Sequence, residues 1–399
     1  MDITPETNNN DTLTESDELN VVNVNFGEYK KVRRRSHHSS GGGSHKKSSS
    51  HSSHKRKKRG KILKRILITV GCVLLSLVLI AAGAFFYLRG TGKQQLTATS
   101  YTISAPDDAY VRNDGYTIEY NGKTYEYNKE LVNLLFMGID DHISEEEKKE
   151  YGSNNQADVI IVASLDLKNK KAVFVNVPRD IITDVVVYSK TGGYTGIEKL
   201  PIAMSFAYGD GKTSSCINTL DSVRKMFYNI PISSYVSLDV NGIGDINDCI
   251  GGVDVTSPED VYMGSTLLFK TGESYHLVGD EARDFVMYRN MEIAEANLLR
   301  NQRQSIYLSS FLNKAVDMTK SDLSTPITIY NTAEPYTCTN MNINKTTYLI
   351  SELLSNSNPV IEMKTLPVDV KQVEDHAENY LREKEFYELF LSVFYNEVK

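Results

Sequence analysis

Apolar and polar positions follow a few distinct rhythms along this chain. The clearest runs over 157–180, ADVIIVASLDLKNKKAVFVNVPRD. Residues 159–165 are almost wholly apolar, the pattern of a strand covered on both faces. A polar turn over 166–171 leads into a second apolar strand over 172–177. An antiparallel pair sets the start of one strand beside the end of the next. The pattern therefore predicts Asp158, Arg179 and Asp180 at one edge of one hairpin. A further buried strand is predicted over 131–138, LVNLLFMG, closing on Gly138-Ile139-Asp140-Asp141. Helical spacing over 217–227 puts Ile217, Leu220, Val223 and Phe227 on one face. A strand over 235–240, a short helix over 242–250 and a strand over 253–255 follow. This alternation predicts a layered α/β domain. Upstream, TIEYNGKTYEY over 117–127 sets Asn121-Gly122 between alternating residues, a hairpin signal. Downstream, the pattern reads as a helix over 346–354, a strand over 360–366 and a closing helix over 382–395.

The stretch 278–307 adds arginines to helical spacing. Asp280 is positioned to cap a helix reaching about 289, and a second helix is expected over 294–318. On it Arg300, Arg303, Gln304 and Tyr307 fall at i, i+3, i+4 and i+7, with Arg300 beside Gln304 on one face. Arginine forks bind phosphate oxygens bidentately. A solvated charged helix is the plainer alternative.

One segment has no rhythm at all. Residues 66–88, ILITVGCVLLSLVLIAAGAFFYL, are 23 residues without a charge. At ~1.5 Å rise per residue such a helix spans a bilayer core of ~30 Å. Charge then becomes informative. The formal net charge of −7 is segregated: −7 over residues 1–29, +15 over 30–65 and −15 over the remainder. The basic block lies on the N-terminal side of the apolar run. The positive-inside rule predicts a cytoplasmic N-terminus and an exterior chain from 90 onward. A cleaved signal peptide does not fit, because the run is too long and too far from the N-terminus. Residues 1–58 are read as a disordered tail, basic and Ser/His-rich from 30, poor in the apolar residues that offset ordering entropy. Its Lys/Arg run is read as contacting anionic headgroups of the bilayer rather than nucleic acid. Residues 91–130 are expected to form a connector with a small β layer, 131–318 the main α/β domain, and 319–399 an α/β extension packed on it. Of four cysteines, Cys72 lies in the apolar run. Cys216, Cys249 and Cys338 allow one disulfide, and the sequence does not choose the pair.

Candidate chemistry gathers where charged residues flank the predicted elements. The acids are Asp140, Asp158 and Asp180; the bases are Arg179, Lys199, Arg289 and Arg300. Carboxylates near several arginines suit a divalent cation with a phosphorylated ligand, because Mg²⁺ is held by one or two carboxylates plus phosphate oxygens. Arg and Lys stabilise charge on a transferring phosphoryl group. No P-loop, Rossmann glycine pattern, GxSxG or HExxH occurs.

Six segments then occur in a telling order: LLFMGIDD, ADVIIVASLD, VFVNVPRD, EKLPIAMSFAYGDG, NIPISSYVSLDVNGIGDINDCIGGVDV and YRN…LLRNQRQ. From about 131 to 318 the chain resembles the catalytic domain of the LytR–CpsA–Psr family of Gram-positive cell-wall enzymes. The resemblance implies a three-layer α/β/α fold with a mixed central sheet and a hydrophobic tunnel for a polyprenyl chain. It implies a membrane-anchored phosphotransferase that moves an anionic glycopolymer, teichoic acid or capsule-like, from a polyprenyl (undecaprenyl) pyrophosphate carrier to peptidoglycan. By motif, Asp140 and Asp158 resemble the carboxylates for Mg²⁺, with Mn²⁺ as the alternative ion. Arg179, Lys199, Arg289, Arg300 and Gln304 resemble the pyrophosphate-binding set. Arg179, Asp180 and Arg300 are the expected catalytic residues, with Asp180 orienting Arg179.

Three departures stand out. Met287 takes the first position of an arginine pair whose second is Arg289. Ala296-Asn297, after Glu295, replaces an acidic Gly-Asp. Pro201 follows Leu200 where the lysine motif continues with Asn. The alternatives are a polyprenyl-phosphate-binding scaffold without turnover, a hydrolase of the pyrophosphate and a transcriptional attenuator. The basic tail has no helix-turn-helix pattern to support the last.

Overall fold

The computed structural model describes residues 53–97, 101–140, 151–288, 296–354, 360–373 and 376–398. The chain divides into two units, 1–70 and 71–399. Helix α1 (Ser53–Thr97) contains one stretch long and apolar enough to cross a membrane, Ile68–Thr97, whose apolar 18-residue window has mean hydropathy 2.5 and nothing buried. Most of the expected tail, residues 1–52, lies outside the described residues. Its last residues, 53–58, belong to α1, where Lys and Arg are good helix formers and no proline intervenes.

Strands β1 (Tyr110–Arg112), β2 (Thr117–Tyr120) and β3 (Lys123–Tyr127) follow. β2 and β3 form the expected hairpin. Asn121 and Gly122 have φ of 51° and 73°, both positive as a type I′ turn requires. β4 (Leu131–Ile139), β5 (Ala157–Asp166) and β6 (Lys171–Asn176) are the centre of the molecule. Successive side chains of a strand face opposite ways, and here both faces are apolar. Leu135, Ile160 and Val175 enter one core, and Leu134, Ile161 and Phe174 enter another.

β7 (Ile182–Tyr188) and β8 (Tyr194–Pro201) form a separate hairpin. Helices α2 (Met204–Ala207) and α3 (Thr213–Met226) lead to β9 (Ser234–Asp239). A lobe with its own core around Phe269, Leu277 and Phe285 is built from α4 (Ile243–Asp248), β10 (Val253–Thr256), β11 (Val261–Met263), β12 (Thr266–Phe269), β13 (Ser274–Leu277) and α5 (Asp280–Met287). Asp280, expected as a cap, is instead the first residue of α5. Gly279, with φ 53°, occupies the cap position.

The chain then runs through α6 (Ala296–Ser321), α7 (Thr325–Ala333), β14 (Thr337–Thr339) and α8 (Ile343–Leu354). It ends with β15 (Val360–Thr365), β16 (Val368–Val373), β17 (His376–Leu381), α9 (Glu383–Phe394) and β18 (Tyr395–Val398). The central sheet has the order β14-β9-β4-β5-β6-β15. β9, β4, β6 and β15 share one direction, while β5 and β14 run against it. Leu220 and Val223 of α3 and Phe386 and Phe390 of α9 cover one face. Leu308 and Leu312 of α6 and Tyr348 of α8 cover the other. This is a three-layer α/β/α fold with a mixed central sheet. The boundary expected at 318 falls inside α6. Residues 319–399 are woven into the domain: β14 and β15 are the two edges of the central sheet, and β18 pairs with β3.

Candidate functional site

Ligands of open α/β sheets bind beyond the carboxyl ends of the parallel strands. That end of this sheet gathers Asp140, Gln156, Asp158, Arg179 and Asp180. Asp140 directly follows β4, and Asp158 is the second residue of β5. Ile139 lies opposite Ala157, so the two carboxylates leave neighbouring strands at the same edge. The register slips between Gly138 and Ile139. Such bulges re-aim side chains beside functional sites. A Cβ on Gly138 would stand 3.0 Å from that of Val159, which is why a glycine is suited there.

The guanidinium of Arg179 is the hub. Its Nη1 forms an ion pair with Asp158, and its Nη2 donates to Oε1 of Gln156. Its Nε lies 3.4 Å from Oδ1 of Asp180. The side chains of Arg179, Asp158 and Asp180 are 20%, 23% and 19% exposed, so the group is shielded yet open on one side. Backbone bonds fix it. The Ala203 amide donates to the Arg179 carbonyl at 3.1 Å, and the Ala157 amide to the Ala203 carbonyl at 3.3 Å. Pro201 ends β8 opposite Ile182. Among the described residues β8 pairs only with β7, and an edge strand tolerates a residue that cannot donate. Sequence reading had joined Asp158, Arg179 and Asp180, but not Gln156. The available signal was its two-residue spacing from Asp158, the repeat of one strand face.

The other expected residues are distributed differently. Lys199 extends from β8 to Asp184 of β7 across the hairpin, 2.7 Å away, and is 70% exposed. Arg300 is buried near the start of α6. Gln304 donates from Nε2 to the Val286 carbonyl at 3.1 Å. Arg303, grouped with them by helical spacing, is fully buried. Its Nε meets Glu259 at 2.8 Å, its Nη1 donates to the Phe285 carbonyl at 2.6 Å, and its Nη2 donates to the Tyr288 carbonyl. Burial holds its pKa below the ordinary arginine value, against the raising effect of Glu259. Arg303 and Gln304 thus fasten the end of α5 to α6, satisfying carbonyls that a helix end leaves open. Arg289 lies outside the described residues.

The sheet face under α6 and α8 carries an apolar layer, and its Val159 directly follows Asp158 of the charged edge. Phe136, Val159, Leu308, Leu312, Met341 and Met363 are only partly buried between the sheet and α6 and α8. The opposite face of the sheet is far more densely covered. Charge balance matters as well. One guanidinium faces Asp158 and Asp180, with Asp140 at the same edge, so an anionic ligand would need further positive charge. Carboxylate oxygens are the donor type for Mg²⁺, which completes its shell with water and phosphate. Among the described residues no three His, Cys, Asp or Glu side chains form an all-protein cage. Asp140 and Asp158 at this edge are of that donor type.

Fold and site together define a class. The LytR_cpsA_psr family profile matches residues 91–390, and the chain belongs to that family. It is 30% identical over 261 residues to the Bacillus subtilis polyisoprenyl-teichoic acid–peptidoglycan teichoic acid transferase TagV, a match covering 64% of this chain and 58% of that protein. It is 28% identical over 185 residues to TagU of Bacillus cereus, of the same transferase name, covering 46% of this chain and 53% of the relative. The chain thus spans a little over half the length of the curated relatives it matches. The crystal structure of B. subtilis TagV shares the fold with TM-score 0.51 and 22% identity, covering 67% of this chain and 96% of that one. Protein gbs0355 of Streptococcus agalactiae does so with TM-score 0.53 and 17% identity, over 66% and 86% of the two chains.

Proposed function

We propose that this protein is a membrane-anchored transferase that moves an anionic glycopolymer, of teichoic acid or capsule type, from a polyprenyl pyrophosphate carrier to peptidoglycan. The observation that carries the reading is the pairing of a charged edge with an apolar layer, matched to a lipid with a pyrophosphate head. Family membership and transferase-named relatives support it. Undecaprenyl is the proposed carrier.

Arg179 binds the pyrophosphate, held in orientation by Gln156, Asp158 and Asp180. Lys199, Arg289, Arg300 and Gln304 are the further pyrophosphate-binding residues of this reading. Arg179, oriented by Asp180, shares with Arg300 the stabilisation of the transition state. The acceptor sugar hydroxyl attacks the phosphorus nearest the glycopolymer and forms the new P–O bond. The bond to the bridging oxygen breaks, polyprenyl monophosphate leaves, and the hydroxyl proton passes to a carboxylate of the edge. Asp140 and Asp158 would hold Mg²⁺, or Mn²⁺ in its place, which when bound supplies the positive charge that the edge lacks. The reading sets the N-terminus in the cytoplasm and the domain outside, from the basic flank of the apolar helix.

Met287 favours a second reading. An apolar side chain ends α5 where the resemblance leads one to expect an arginine, as in a scaffold that binds the carrier without turnover. The deciding experiment incubates the full chain in vesicles with a polyprenyl pyrophosphate-linked saccharide, Mg²⁺ and a peptidoglycan oligomer. A phosphodiester-linked product by mass spectrometry, lost with EDTA and in Asp158→Ala, is expected. Retained lipid without product would instead support the scaffold.

A further inference from the structure

The end of α1 does not leave the domain as a loose tether. Its inner face packs along α8. The guanidinium of Arg89 bonds Oγ of Ser351 at 3.0 Å, forms an ion pair with Glu352 and lies 5.9 Å from the ring of Tyr348. One turn on, Gly92 is buried so closely that a Cβ would stand 2.0 Å from the Asn344 carbonyl oxygen. Oε1 of Gln95 accepts from Asn342 at 3.1 Å, and Leu96 is buried in the sheet–α8 core. As α1 advances from 89 to 95, its partners retreat along α8 from 352 to 342, the residue just before that helix. The two helices are therefore antiparallel, and the C-terminal end of α8 points back toward the apolar part of α1.

That end of α8 meets one end of the central sheet. Nζ of Lys170, in the β5–β6 turn, donates to the Glu352 carbonyl at 2.5 Å. The Val360 amide at the start of β15 donates to the Lys170 carbonyl at 2.8 Å. This turn end shows exposed Lys168 and the 61% exposed Val360, beside Lys171, which is paired with Glu362 at 3.1 Å. The Arg179 group lies at the opposite end. From Asp166 to Asp158, β5 covers roughly 27 Å at ~3.4 Å per residue.

We infer that α1 and α8 form a rigid joint that presents the turn end of the sheet to an anionic bilayer surface and holds the Arg179 group one sheet-length away from it. This rests on the membrane reading under Proposed function. The joint begins at the residue after the uncharged run, where arginine commonly reaches to the interface. Lysines near a surface are attracted to anionic lipids, and Val360 adds an apolar contact. The occupant of this face is the bilayer that holds α1. A carrier serving the Arg179 group would then lift its head from the membrane, with its tail along the half-buried layer between the sheet, α6 and α8.

The test uses the full chain in vesicles of anionic and zwitterionic lipid carrying a headgroup quencher. A genetically encoded fluorescent amino acid replaces Lys168 at the turn end or Asn241, an exposed residue beyond β9 at the site end. Quenching several-fold stronger at 168 than at 241 is expected. A short Gly/Ser insertion after Thr97 should leave that difference intact, because the joint precedes it. Gly92→Leu should abolish it, with the melting temperature retained. Should Gly92→Leu not fold, Arg89→Ala combined with Gln95→Leu makes the same test. Equal quenching at the two positions, equalisation by the insertion, or indifference to the joint variants would overturn the proposal. None of these readouts depends on transfer, so lost transfer with an intact pattern counts against the proposed function and not against the joint.

Discussion

At the scale of single residues, the edge of the sheet is organised by Arg179 and the groups that hold it. Gln156 is the neutral member, and its amide oxygen accepts from the guanidinium. A hydrogen bond to a charged group contributes about 1.5–3 kcal/mol. Gln156→Ala is therefore expected to lower stability by up to about that amount and, through a misplaced Arg179, to lower transfer about tenfold or more. Steady-state rates beside a denaturation curve check this. Asp210 illustrates a different role. Burial alone would raise its pKa, but bonds from the backbone of Lys212, Ser214 and Ser215 and the Ser214 hydroxyl outweigh it and hold the carboxyl below its ordinary 3.8. It ties down the first amides of α3. A lowered folded pKa means stability present above the ordinary value and lost as pH falls through the lowered one. Asp210→Ala should thus cost about 1 kcal/mol at neutral pH. The gap from wild type should close only below the ordinary carboxylate range. Urea midpoints measured from neutral to acid pH give the answer.

At the scale of elements, β4, β5 and β6 were legible because strands buried on both faces leave long apolar runs. The charged residues at their ends could be assigned to one edge from strand direction alone. The β7–β8 hairpin was not legible. Its Gly192-Gly193 turn was visible, but exposed Tyr194, Ile197 and Lys199 gave no alternation to read. Arg303 misled for a physical reason. Helical spacing sets it beside Arg300 and Gln304, yet its burial is decided by Glu259 and by carbonyls of α5, which no local pattern reveals. Removing one partner of a buried ion pair costs ~3–5 kcal/mol. Arg303→Met should destabilise the domain by about that amount, and adding Glu259→Gln should recover part of it. Chemical denaturation of the two variants tests the clasp, and a single variant of wild-type stability would refute it.

At the scale of the whole molecule, the apolar helix among the described residues, the α/β/α domain and the charged edge at the sheet's carboxyl end all agree with the envelope transferase proposed above. Residues 319–399, expected as an extension packed on the domain, supply both edge strands of its central sheet and the buried Phe386, Phe390 and Phe394. Truncation at 382 should leave no cooperatively folding domain, as read by loss of a melting transition. The proposed orientation has its own consequence. Protease added outside intact protoplasts should digest the domain and spare the basic tail, and the reverse pattern would invert the topology.

The central claim is transfer at the Arg179 edge. The most direct measurement follows polyprenyl monophosphate release and phosphodiester formation on peptidoglycan together, for wild type and Arg179→Ala in vesicles with Mg²⁺. Wild type is expected to yield equal molar amounts of the two products. Loss of the charge-stabilising arginine should cut both by about 10²–10³, with a cooperative melting transition retained. Monophosphate released without a peptidoglycan product, or full transfer by Arg179→Ala, would contradict the central claim.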